Sequence, residues 1–194
     1  MGVSLSKGGN VSLTKAAPNL TAVTVGLGWD VRTTTGADFD LDASAIICNA
    51  SGKVISDQHF VFFNNLRSPD GAVEHQGDNL TGSGEGDDEQ VKVNLVGLPG
   101  EADKVVFTVS IYDAETRNQS FGQVQNAFIR VVNSADNNEL RASTSPRTPR
   151  PRPPWSSASC TATRPSGSSA PSGRVTPRAC GESHSTTVST SEVF

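Results

Sequence analysis

Apolar and polar residues alternate along the first 140 positions of this chain. Segments 20–29, 54–63, 90–96, 104–112 and 127–132 are rich in β-branched and aromatic residues. Each is bounded by clusters of Gly, Asn, Asp or Pro, the punctuation expected of short strands. Within 104–112, Val105, Phe107, Val109 and Ile111 fall on one face of an extended chain. Val106, Thr108 and Ser110 fall on the other, as for a strand with one side buried. No stretch carries a sustained helical stripe or a heptad, and segment 120–127 is the candidate for a short helix. The pattern predicts an all-β fold, an antiparallel β-sandwich with few short helices.

Composition divides the chain in two. Residues 1–140 hold 9 Lys/Arg against 18 Asp/Glu, a net charge of −9, whereas residues 141–194 hold 7 Arg against 2 Glu, +5. Eight of the 11 Pro and two of the three Cys (Cys160 and Cys180) also lie after residue 140, among Ser-rich runs. Such a segment buries too little apolar surface to offset its chain entropy, so 141–194 reads as a disordered Pro/Ser/Arg-rich tail. Cys48 is the sole cysteine of the first part, which fits a reducing compartment. No apolar run is long enough to span a bilayer, and no secretory leader is evident at the N-terminus. A cytoplasmic protein is expected.

The carboxylates concentrate in three places. In Asp38-Phe-Asp-Leu-Asp42, the alternation of an extended chain sends Asp38, Asp40 and Asp42 to one face while Phe39 and Leu41 enter the core. Like charges so close repel unless a cation or water screens them. The string is not an EF-hand, because Ala43 and Asn49 stand where that loop needs Gly and Glu. The second cluster, Gly77-Asp-Asn-Leu-Thr-Gly-Ser-Gly-Glu-Gly-Asp-Asp-Glu89, sets Asp78, Asn79, Glu85, Asp87, Asp88 and Glu89 on a glycine-rich loop. Glycine lets carbonyls turn inward, and Ca²⁺ takes six to eight oxygens from carboxylates, amides and carbonyls. The third is Ile111-Tyr-Asp-Ala-Glu115, where Asp113 ends a strand. Mg²⁺ fits such a many-oxygen site less well, and zinc is disfavoured with His59 and His75 as the only imidazoles of this part. Solvated acidic loops are the plain alternative. His59 and His75 read as strand-surface or turn residues, Trp29 as a core anchor, and Arg32 and Arg117 as partners of nearby carboxylates. Arg130 reads the same way or as a solvent-facing side chain.

Ordered motifs then make the chain recognisable. They are Gly28-Trp-Asp30, Asp38-Phe-Asp-Leu-Asp-Ala-Ser44, Phe63-Asn-Asn-Leu66, Ser68-Pro-Asp-Gly-Ala-Val73, His75-Gln-Gly-Asp-Asn-Leu-Thr-Gly82, Gly86-Asp-Asp-Glu89 and Ile111-Tyr-Asp-Ala-Glu115. Arg117-Asn-Gln-Ser-Phe-Gly-Gln-Val124 and Asn126-Ala-Phe-Ile-Arg130 extend the series. Together they resemble the TerD family of tellurium-resistance proteins over residues 1–140. The resemblance implies a β-sandwich that binds Ca²⁺ through its acidic loops, in a cytoplasmic bacterial stress-response protein without catalysis. It implies ligands among Asp38, Asp40, Asp42, Asp78, Asn79, Asp87, Asp88 and Glu89, with Asp30 and Asp113 as further candidates. The implied partners are calcium ions and other stress-response proteins of the same type, with no specific nucleic acid. Two other functions compete: a Ca²⁺-dependent carbohydrate-binding sandwich, and a hydrolase using paired carboxylates with Asp113 or Glu115 in one role.

The resemblance stops after Asn138-Glu-Leu140. Beyond it the chain reads like translation of GC-rich DNA in the wrong frame. Written as TCT TCG GCG AGC TGT ACC GCC ACG, residues 156–163 regroup by one base into Phe-Gly-Glu-Leu-Tyr-Arg-His, which resembles the family's C-terminal segment. Pro154-Trp155 as CCA TGG conceals a Met codon. Residues 164–170 conceal Ala-Ala-Glu-Trp-Lys-Phe-Arg, and Ser191-Glu192 as TCT GAG conceals a stop. The third base of each codon is free, but the first two are nearly dictated by the residues and fix two letters of every hidden codon. Residues 141–194 are therefore expected to be a frameshift product, and the sandwich in 1–140 to be incomplete at its C-terminal side. A lost closing strand leaves an open edge and a weakened core.

Overall fold

The computed structural model describes residue 17, residues 19–140, and the backbone of the strands that lie outside that span. Among the described residues are twelve strands: β1 (Val3–Ser4), β2 (Val11–Ser12), β3 (Ala22–Gly28), β4 (Leu41–Cys48), β5 (Phe60–Val61), β6 (Val73–His75), β7 (Glu89–Asn94), β8 (Lys104–Ile111), β9 (Phe128–Asn133), β10 (Glu139–Thr144), β11 (Ala158–Thr163) and β12 (Arg174–Pro177). They build two six-stranded sheets, ordered β1-β10-β9-β3-β7-β6 and β2-β12-β11-β8-β4-β5. Every pairing is antiparallel except the short contact of β1 with β10. The all-β, antiparallel sandwich expected from the alternation is what forms.

The core lies between the sheets. Val23 and Val25 of β3, Val91 and Val93 of β7 and Val131 of β9 meet Ala45 and Ile47 of β4 and Val105 and Phe107 of β8. A second cluster at one end gathers Leu27, Trp29, Phe39, Leu41, Val109, Ile111 and Phe121. The four apolar residues assigned to one face of β8 are all buried, while Ser110 on the other face is exposed. Trp29 is the expected anchor: its indole N–H donates to Phe39 O at 3.0 Å, which satisfies the buried polar edge of the ring.

Two element expectations need correction. Segment 54–63 is not one strand: Gly52, at φ 80°, closes a turn, Val54 makes an isolated bridge to Cys48 of β4, residues 57–59 form a 3-10 turn, and Phe60–Val61 then pairs with β4 as a short strand. The Asn65 side-chain amide donates to the Phe60 and Gln58 carbonyls, holding the turn around the short β5. Segment 120–127 is not a helix: it makes isolated turns, Gln123 N to Ser120 O and Val124 N to Phe121 O. It ends at Asn126 with φ 51°, a left-handed conformation that stops helix propagation.

Of the segment after residue 140, the structure describes the end of β10 together with β11 and β12. The rest of the expected tail lies outside the described residues. β11 runs antiparallel to β8, from Ala158 opposite Val109 to Thr163 opposite Lys104. It lies on the side of β8 away from β4. The unpaired N–H and C=O groups of an exposed strand edge are a template for any β-competent segment.

Candidate metal centre

The acidic residues meet at one end of the sandwich. Phe39 and Leu41 are buried in the core, which turns their neighbours Asp40 and Asp42 to the alternate side at the start of β4. The loop between β6 and β7 brings Asp78 to the same place. One oxygen of each of Asp40, Asp42 and Asp78 lies within 4.8 Å of the others. Asp40 and Asp42 are 5% and 7% exposed, whereas Asp78 is exposed, so the group opens to solvent on one side.

The electrostatics of this group are unfavourable as it stands. Burial, then the negative charges of Glu89, Asp40 and Asp78, push the Asp42 carboxyl up to about 7. Burial and Asp78 also raise Asp40, against the opposing pull of Arg117. Arg117 Nη1 stands 3.6 Å from Asp40 Oδ2. Asp40 Oδ1 is buried and accepts no hydrogen bond. An orphaned buried oxygen of this kind carries a desolvation cost of about 1–3 kcal/mol, or more when charged. Three hard oxygen donors with an unsatisfied lone pair among them match an oxygen-seeking divalent cation.

Glu89 lies beneath the group and has other work. Its side chain is fully enclosed, and it accepts the Ala43 N–H of β4 at 2.7 Å and the Asn79 N–H of the loop at 3.3 Å. Burial raises its carboxyl, and these donors together with His75 hold it down. His75 accepts the Gly77 N–H at Nδ1, which leaves the proton on Nε2. Nε2 faces Ala43 O at 3.1 Å and Glu89 Oε2 at 3.5 Å. His75 is therefore not a surface or turn residue; it is 3% exposed and ties β6 to β4 across the interface. Glu89 and His75 together clamp the loop to the Asp-rich strand.

The remaining candidate ligands are placed elsewhere or engaged. Asp87 accepts Arg130 Nε at 2.7 Å and Gln90 Nε2 at 3.0 Å. Asp88 accepts the Trp29 backbone N–H at 2.9 Å and the Asn79 side-chain amide at 3.2 Å. Burial raises its carboxyl, the Trp29 N–H lowers it, and Asp87 and Asp30 raise it further. The Asn79 side-chain oxygen accepts the Thr81 and Gly82 N–H groups, folding the loop on itself. Asp30 pairs with the Asn126 amide, Asp38 is exposed, and Asp113 is exposed with φ 50° at the turn after β8. Among the described residues, Arg32 pairs with no carboxylate. It donates to Ala37 O and Thr34 Oγ1 and stacks on Phe39. His59 is a turn residue as read, bonded to Ser56 Oγ and facing Asp70. Gln119 was not singled out from the sequence, yet it is 1% exposed and donates to the Ala37 and Asp38 carbonyls at the entry to the Asp-rich strand. Its spacing carries no signal that distinguishes it from a loop glutamine.

Fold and site define an acidic-ended β-sandwich in which two separate segments of chain converge their carboxylates. Residues 1–145 match the TerD domain, and the chain belongs to the TerD family. It is 59% identical over 140 residues to the tellurium resistance protein TerD of Alcaligenes sp., covering 72% of this chain and 73% of that protein. It is 54% identical over 141 residues to general stress protein 16U of Bacillus subtilis (strain 168), covering 72% and 73%. The crystal structure of a homologue of telluride resistance protein (TerD) from Streptomyces coelicolor A3(2) superposes with a TM-score of 0.60 at 25% identity, covering 76% of this chain and 83% of that one. Tellurium resistance and stress response are the roles for which these relatives are named. No helix among the described residues is long and apolar enough to cross a membrane.

Proposed function

We propose that this chain is a cytoplasmic, non-catalytic Ca²⁺-binding module of the tellurium-resistance and stress-response type. The observation that carries the reading is the convergence of Asp40, Asp42 and Asp78 within 4.8 Å, with Asp40 Oδ1 buried and unpartnered. These three residues would hold the ion. Its charge would relieve their mutual repulsion and fasten the loop at 76–88 to the start of β4. Ordering of that loop would then be the signal offered to partner stress-response proteins. The clustered acids favour this reading over a hydrolase. General acid–base chemistry needs two carboxylates at a working separation with split roles, and Asp113 and Glu115 are both exposed on a turn. A carbohydrate-binding sandwich would need exposed stacking aromatics beside the ion, whereas Trp29 and Phe39 are buried and the half-exposed Tyr112 ring carries Arg117. Calorimetric titration of Ca²⁺ into the 194-residue chain tests the proposal. Dissociation constants of about 10⁻⁴ M or tighter are expected, within the range of dedicated protein sites. A β-rich circular dichroism spectrum without binding would sink it.

We also propose that residues 141–194 are a frameshift product. The matched 140 residues make up 72% of this chain and 73% of the Alcaligenes protein, so the two are nearly equal in length while about a quarter of each goes unmatched, and the TerD-domain match in this chain ends at residue 145. Equal length with an abrupt loss of similarity supports a shifted frame over a substituted domain. Sequencing the coding DNA tests it: an alternate frame reading Phe-Gly-Glu-Leu-Tyr-Arg-His across residues 156–163 is expected, and a gene without it overturns the proposal.

A further inference from the structure

Arg117 stands at the carboxylate group in a way that differs from the other arginine–carboxylate pair of this end. Arg130 and Asp87 form a closed pair: Nε donates at 2.7 Å, Gln90 takes the second oxygen, and the carboxylate packs directly on the backbone of Gly26. Arg117 Nη1 is 3.6 Å from Asp40 Oδ2, too long for a hydrogen bond, and Asp40 Oδ1 is left without a partner. The pair is loose, and the carboxylate keeps a free oxygen.

The backbone beneath Arg117, in contrast, is fixed. Tyr112 N donates to Asp40 O at 2.8 Å, Arg117 N to Asp113 O at 3.0 Å and Gln119 N to Ala114 O at 2.8 Å. The buried Gln119 amide then bonds the carbonyls of Ala37 and Asp38. The guanidinium is thus tethered at a set reach from the Asp-rich strand. It also has a second support, since it lies 5.1 Å from the centroid of the Tyr112 ring, which is half exposed. A guanidinium over an aromatic face keeps a favourable contact there without a carboxylate partner. Among the described residues, no other Lys or Arg forms an ion pair with Asp40, Asp42 or Asp78.

We infer that Arg117 is a tethered counter-ion of this group: it balances Asp40 while the three carboxylates stand alone, and it yields to a divalent cation by staying over Tyr112. Its charge then sets the concentration at which the ion binds. The inference rests on the divalent-cation reading above and deepens it by naming what tunes the site.

Calorimetry with Ca²⁺ on the full chain tests both and separates them. Arg117→Gln and Arg117→Met are expected to bind Ca²⁺ roughly tenfold more tightly than the unaltered chain, the Coulomb effect of one charge a few ångströms from a dication in a largely aqueous setting. Both variants are expected to melt at lower temperature without Ca²⁺ and to gain more from its addition. Lys92→Gln, which removes an exposed charge on β7, and Arg117→Lys, which keeps the charge, are expected to stay within about twofold of the original affinity. An equal rise in Lys92→Gln, or unchanged or weaker binding in folded Arg117→Gln and Arg117→Met, overturns the counter-ion role while leaving the ion site standing. Binding by these two variants but not by the folded unaltered chain overturns the Ca²⁺-binding function proposed for that chain, and the tuning role with it. Absence of binding in all of them overturns the ion site, and the counter-ion role with it. A measurement on the unaltered chain guards against a variant that misfolds. The Arg117 Nε–H resonance is expected to shift and to exchange faster with water as Ca²⁺ is added, and a resonance unmoved at saturating Ca²⁺ overturns the inference.

Discussion

Asp42 shows how one side chain can be a structural liability and a functional asset. Its carboxyl is buried beside three others, and His75 is the nearby group that offsets their repulsion on it. Asp42→Asn should therefore stabilise the ion-free protein, by roughly 1 kcal/mol or about 2–4 °C in melting temperature for a chain of this size. The same substitution should abolish the stabilisation that Ca²⁺ gives, and differential scanning calorimetry with and without Ca²⁺ reads both effects. A pH dependence follows from the same residue. A carboxyl raised to about 7 in the folded chain, against 3.8 in the unfolded one, binds more protons folded than unfolded between those values. Stability without cation should then fall as pH rises from about 4 to about 7. Ca²⁺ binding should strengthen over the same interval, because the ion and the proton compete. Thermal melts at pH 5 and pH 7.5, each with and without Ca²⁺, check the sign.

At the scale of elements, the alternation located β3, β7, β8 and β9 to within two residues at each end, because each has one face against the core and one away from it. Segment 54–63 is broken up for a local reason: its apolar content is high, but a 3-10 turn at 57–59 separates the Val54 bridge from β5, and the Asn65 amide holds that turn at the Gln58 and Phe60 carbonyls. The glycine-rich loop between β6 and β7 is the element on which the site depends. Gly82, at φ 68°, packs against the Trp29 indole so closely that a Cβ would overlap the ring nitrogen. Its N–H also closes the turn onto Asn79. Gly82→Ala should combine left-handed strain with a steric clash, costing roughly 1–3 kcal/mol. It should also weaken Ca²⁺ binding, since the loop presenting Asp78 must move. Urea unfolding and calorimetry on this variant test the two effects, and an unchanged affinity would show that the loop presents Asp78 independently of Trp29. The acidic clusters were legible as clusters. Their sorting into three converging carboxylates, a clamp at Glu89 and a paired Asp87 was not, because sequence spacing does not show which donors other strands bring to each.

For the whole molecule, the sheet containing β8 depends on a strand drawn from 158–163 at its otherwise open edge. Ala, Ser, Cys and Thr in that stretch can form a ladder, yet they offer less apolar volume than Leu and Tyr of the concealed frame. A gene with the frame restored should give a protein that melts at higher temperature and aggregates less, measured by scanning calorimetry and light scattering. Equal melting temperatures would show that the closing strand contributes its backbone alone. By itself the sequence determined the fold class, the core faces of the long strands, the acidic character of one region and the family, because period-two alternation and ordered motifs are local properties. Only the tertiary structure decided which carboxylates meet, that His75 is buried, that Gln119 and Arg117 flank the Asp-rich strand, and that Glu89 clamps it. These follow from contacts between residues tens of positions apart, whose partners are chosen by strand register and burial, and no local pattern carries that choice.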